Sequence, residues 1–169
     1  MIRAAALLLA MAFALGSCTA PEMEVEAYAE GGSVAFRVAP DQLRDANCFF
    51  YFHIIDAQGK VMWEVWSDRV SGPPEDCPRT FPLRYGVTPP KGVRTTIAPS
   101  PLVPGQLYVI DGDVIGRMTG AFRIGPDGTV ERLDPNDPAA RAALEIYGHT
   151  SMNAADANTA DPGINATAN

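Results

Sequence analysis

Long apolar runs are nearly missing from this sequence. The longest, residues 4–15 (AAALLLAMAFAL), is about twelve residues. A bilayer core of about 30 Å needs roughly 20 residues of helix, so this run does not span a membrane. Positive charge is also scarce. Lys and Arg number 13 against 20 Asp and Glu, a net charge of −7, and no Lys/Arg cluster offsets it. Such a surface repels phosphate backbones and anionic headgroups, which excludes nucleic acid as an expected partner. Only two histidines exist, His53 and His149, so imidazole chemistry has few places to occur. Three cysteines offer no Cys-x-x-Cys and no four-ligand zinc spacing. His-Glu-x-x-His, Gly-x-Ser-x-Gly and a phosphate-cradling glycine loop are all missing. No cofactor and no metal is implied by any motif.

What is abundant is punctuation. Fifteen Pro and fifteen Gly among 169 residues imply many turns and short elements in one ordinary domain. That pattern predicts an all-β sandwich.

The N-terminus is organised in three parts. Met1, Ile2 and Arg3 make a short positive region, residues 4–15 an apolar one, and Leu15-Gly16-Ser17-Cys18 closes it. The first two have the length and flanks of a secretory signal. The last resembles the lipobox of bacterial lipoprotein precursors. The resemblance implies cleavage after residue 17, a diacylglycerol on the Cys18 sulfur, and a palmitate-type acyl chain on the new amino group. Two or more long chains give stable anchoring. Thr19 follows Cys18 where an Asp would imply retention at an inner membrane. The resemblance therefore implies an outer membrane, with the protein facing the periplasm. Loss of residues 1–17 removes only Arg3 and moves the net charge from −7 to −8.

Cys48 and Cys77 remain. In an exported chain an even pair is expected to be bridged, the alternative being two reduced, buried thiols.

Residues 18–23 are expected to form a tether and 24–134 the sandwich. Gly31-Gly32 divides residues 24–38 into a hairpin. Residues 47–56 (NCFFYFHIID) and 60–66 (KVMWEVW) form the strongest strand pair. A three-residue loop would pair Asp56 with Lys60. A four-residue loop, ending in Gly59 at positive φ, would pair Ile55 with Lys60. The second separates apolar from charged side chains better and is the expected register. It puts Cys48, Phe50, Phe52, Ile54, Val61, Trp63 and Val65 on one face. The opposite face takes Phe49, Tyr51, His53, Ile55, Lys60, Met62, Glu64 and Trp66. Residues 67–92 read as a long crossover with a short strand near 81–87, and 93–98 as a strand.

Leu102-x-Pro104-Gly105-x-x-Tyr108 precedes an apolar strand at 106–110. The motif resembles the corner before a central strand of immunoglobulin-like and fibronectin type III sandwiches. There a Tyr returns its hydroxyl to nearby backbone. The resemblance implies an immunoglobulin-like antiparallel β-sandwich. Residues 119–125 and 129–133 would close it through Pro126-Asp127-Gly128. Asp137-Pro138 reads as N-cap and first turn of a short helix over 138–147, with Gly148 as its stop. Residues 148–169 show no periodic apolar face and read as a disordered tail.

Three groups could carry function. His53 is the one histidine within the sheet region, with Asp56 or Glu64 as a loosely placed carboxylate. Asp111-Gly112-Asp113 offers two carboxylates, for a metal or simply for a strand end. Tyr51, His53, Met62 and Trp66 form a candidate binding patch with Phe49 beside it, for an envelope protein or a glycan. Alternatively the 138–147 helix folds back and covers that face with Leu144 and Tyr147. The expected function is a lipid-anchored, non-enzymatic binding or structural module. The alternative is a small periplasmic hydrolase or metal-dependent enzyme using His53 or Asp111 and Asp113.

Overall fold

The computed structural model describes residues 22–68, 76–114 and 116–159, with side chains up to residue 148. The expected signal peptide, Cys18 and residues 160–169 lie outside the described residues.

The described chain is mostly β, with two helices. Its strands are β1 (Glu22–Glu24), β2 (Glu26–Glu30), β3 (Ser33–Arg37), β4 (Tyr51–Asp56), β5 (Val61–Ser67), β6 (Leu83–Arg84), β7 (Val93–Ile97), β8 (Leu107–Val114), β9 (Gly116–Ile124) and β10 (Val130–Leu133). Helix α1 spans Leu43–Ala46 and α2 Pro138–Thr159. A larger sheet runs β1-β9-β8-β4-β5-β7, with β10 also paired to β9, and a smaller one runs β2-β3-β6. Between the sheets lies the main core, built on Phe36, Phe52, Ile54, Trp63, Val65, Tyr108, Ile110 and Phe122.

Local signals account for much of this. Gly31 and Gly32 both take positive φ, 59° and 80°, and the strands they join pair from Glu30 with Ser33 to Glu26 with Arg37. Asp137 caps α2 by accepting the Ala139 N–H at 2.8 Å, with Pro138 in the first turn.

Four expectations are corrected. The larger sheet is mixed rather than antiparallel throughout, because β1 runs parallel to β9, Glu22 opposite Arg117. The two strands are far apart in sequence, so no hairpin dictates their direction. Gly120 permits the crossing of the chain from β1 to β2, since a Cβ there would strike the Val25 carbonyl oxygen. Helix α2 does not stop at Gly148 but continues to Thr159. A helical Gly costs about 1 kcal/mol, which its neighbours can override.

The β4–β5 register follows neither expectation alone. The Asp56 N–H donates to the Lys60 carbonyl at 2.9 Å, and the Lys60 N–H to Asp56 Oδ1 at 2.9 Å. Ile55 pairs with Val61, as a three-residue loop requires. A bulge then shifts the ladder, and Ile54 faces Trp63 and Tyr51 faces Trp66. The extra residue is Met62, which turns into the main core, 7 % exposed. Val61 turns the other way, toward α2. The final correction concerns residues 47–50. They follow α1 rather than belonging to β4, so the alternation begins at Tyr51 and Phe49 is buried in the main core.

Cys48 and Cys77 are bridged, with Cα atoms 5.2 Å apart. Asn47 adds a second tie at the same place, its Oδ1 accepting the N–H groups of Thr80 at 2.8 Å and Phe81 at 3.0 Å.

The registers define two ends of the larger sheet. Glu22, Tyr51, Trp66, Val93, Asp113 and Arg117 share the end where β1 enters. The β4–β5 turn and the start of β8 lie at the opposite end. Nine residues of β9 separate the two, about 30 Å.

Candidate functional site

On the outer face of the larger sheet the strands contribute alternate side chains. That face divides in two. Toward the β4–β5 turn it is apolar: Ile55, Leu107, Val109 and Ala121 pack against Ala140 and Ala143 of α2. Toward the β1 end it is polar, because His53, Asp111 and Thr119 stand in one cross-strand row and Tyr51, Asp113 and Arg117 in the next. Helix α2 crosses the boundary. Gly59, at φ 78°, lies so close to the helix that a Cβ would meet Ile146 Cγ2 at 2.7 Å.

His53 is the centre of the polar half, 4 % exposed. Its Nδ1 lies 2.8 Å from the Tyr147 hydroxyl on α2. Its Nε2 lies 2.8 Å from Glu64 Oε2, too poorly aligned for a good hydrogen bond and an ion pair only when the ring is protonated. Thr96 donates its hydroxyl to the other Glu64 oxygen. The Tyr51 ring stacks on His53 at 4.4 Å and also meets Trp66 at 5.7 Å. Asp111, behind them, accepts two hydrogen bonds from Arg117, 3.1 Å from Nε and 3.0 Å from Nη2.

Burial depresses the His53 pKa below its usual value, outweighing the upward pull of Glu64 and Asp111. The imidazole is thus neutral near pH 7. With Tyr147 donating to Nδ1, the ring proton sits on Nε2 and faces Glu64. Tyr51 is pushed well above the usual phenol range, first by burial and then by Asp111 and Asp113, so its hydroxyl stays protonated.

The patch expected from Tyr51, His53, Met62 and Trp66 is therefore not assembled as a surface. Met62 is in the core and His53 is sealed by α2, while Tyr51 and Trp66 stay half-buried. The helix covers this face through Tyr147, together with Leu144. Asp56 is occupied in closing its own turn, so Glu64 is the carboxylate that reaches His53. Asp111 and Asp113 are separated in role. Asp111 is buried against Arg117, whereas Asp113 is half-exposed beside the groove. Among the described residues no group of three His, Cys, Asp or Glu is placed to hold a metal. Sequence reasoning missed Arg117 and Thr96, whose link to Asp111 and Glu64 is purely cross-strand.

A groove of about 490 Å³ opens between α2 and the β8–β9 hairpin, lined by Tyr51, Asp111, Asp113, Arg117, Leu144 and Tyr147. Chemically the Glu64–His53–Tyr147 line can pass a proton or hold the helix to the sheet. No protein-family model, curated protein or solved structure matches the chain. Among the described residues no helix is long and apolar enough to cross a membrane.

Proposed function

We propose that this chain is an exported lipoprotein, an immunoglobulin-like β-sandwich moored by acyl chains on Cys18 and facing the periplasm from an outer membrane. In this reading it acts as a non-enzymatic binding or structural module. The observation that carries it is the division of labour among the three cysteines. Two are bridged, as an oxidising compartment favours, and the third closes the lipobox-like Leu15-Gly16-Ser17-Cys18.

The finer fold reading rests on the corner and the strand order. The Tyr108 hydroxyl accepts the Val103 N–H at 2.7 Å, as a tyrosine corner does. The order β9-β8-β4 matches the G-F-C sheet of such domains, and β2-β3-β6 matches A-B-E. The chain departs from that plan in three places. β7 pairs with β5, β10 adds to β9, and the bridge ties a loop rather than the two sheets.

Metabolic labelling with an alkynyl fatty acid tests the anchor. The natural chain takes up label and Cys18→Ser takes up none; label persisting in Cys18→Ser overturns the reading. The hydrolase alternative is favoured by one observation, the Glu64–His53–Tyr147 line with a groove at its end.

A further inference from the structure

We propose that the end of the sandwich where β1 enters is seated on the lipid headgroups of the anchoring bilayer, with Trp66 at the interface. This rests on the lipoprotein reading and adds an orientation to it.

The argument begins with reach. Cys18 and Glu22 are four residues apart, and extended chain covers at most about 3.5 Å per residue. Glu22 therefore lies within about 14 Å of an acylated Cys18, whatever path the chain takes. Glu22 pairs with Arg117 at the start of β9. The opposite end of the sheet is a further 30 Å or so along β9, more than this tether can bridge. The sandwich therefore cannot stand on that far end on the bilayer that holds the anchor.

The composition of the two ends agrees. The β1 end gathers Phe50, Tyr51 and Trp66, all half-buried. Amphipathic rings of this kind sit well at headgroup level. Charge there is partly compensated, Arg94 with Asp68 at 3.4 Å and Arg117 with Asp111 at 3.0 Å, with Glu22 and Asp113 left as surplus carboxylates. The rings, rather than the charge, favour the seating. Of the most exposed large apolar side chains among the described residues, Ile97 lies mid-sheet opposite Glu64, while Val87, Val103 and Ile146 belong to the far end. So does an apolar groove of about 380 Å³ lined by residues including Val34, Tyr85 and Leu102. The seating turns them away from the membrane, where a protein partner has access.

The two tryptophans make the test direct, since Trp63 is fully buried and Trp66 is not. Full-length acylated protein is reconstituted into phosphatidylethanolamine–phosphatidylglycerol vesicles carrying a headgroup nitroxide lipid. Emission of Trp66 is read as natural chain minus Trp66→Phe, which leaves the core intact. Flotation is measured in parallel. Flotation together with loss of most Trp66 emission, Trp63 being unquenched, supports the proposal. Flotation with Trp66 emission untouched overturns the seating and leaves the anchor standing. Failure to float overturns the anchor and the seating together.

Discussion

The two faces of the larger sheet are stabilised in different ways. The inner face is a dry aromatic cluster in which Phe36 meets Phe52 at 5.3 Å and Phe122 at 5.8 Å. The outer face is half apolar under α2 and half polar around His53. Burial on the inner face depends on area and fit, which any well-matched apolar side chain supplies. Burial on the polar half depends on each group finding its one partner, so its stability responds to pH and to single atoms.

Three experiments sharpen this contrast, the strongest first. Trp63→Ala empties the centre of the inner cluster and should cost about 3–5 kcal/mol, read from urea unfolding. A loss below about 1 kcal/mol would mean that the inner face is not the main source of stability. Tyr147→Phe deletes the hydroxyl facing His53 Nδ1 and should cost about 1–3 kcal/mol, with hydrogen exchange accelerated in α2 before the strands. Equal acceleration everywhere would show that helix and sheet unfold as one unit.

The third uses pH. The folded His53 pKa lies below that of the unfolded chain, so the unfolded chain takes up the proton first. Its contribution is fully present above the unfolded value of about 6.5 and is lost as pH falls toward the depressed folded value. Glu64, Asp111, Tyr147 and Tyr51 face the ring, and Arg117 reaches it through Asp111. Stability should fall below pH 6.5 by up to about 1.4 kcal/mol per pH unit, and His53→Gln should remove this slope. A slope unchanged in His53→Gln would assign it to other groups.

The hairpin at Gly31-Gly32, the corner at Tyr108 and the cap at Asp137 were all legible in the sequence. Each depends on residues a few positions apart. The start of β4 was not, because the run NCFFYFHIID is apolar from just after α1 into the strand, with no break at Tyr51. The candidate site was half legible. His53, Glu64, Tyr51 and Tyr147 were each noticed, but Met62 was misplaced by one bulge. Arg117 stood outside every local pattern.

The sequence alone determined the acidic surface, the turns, the cysteine arithmetic and the alternation that builds an inner face, since charge, φ preference and period are properties of short segments. Only tertiary structure decided which way Met62 points, that β1 lies parallel to β9, and that Tyr147 closes over His53. Those outcomes arise where elements distant in the chain compete for the same space, and packing selects among pairings that local propensity leaves equal.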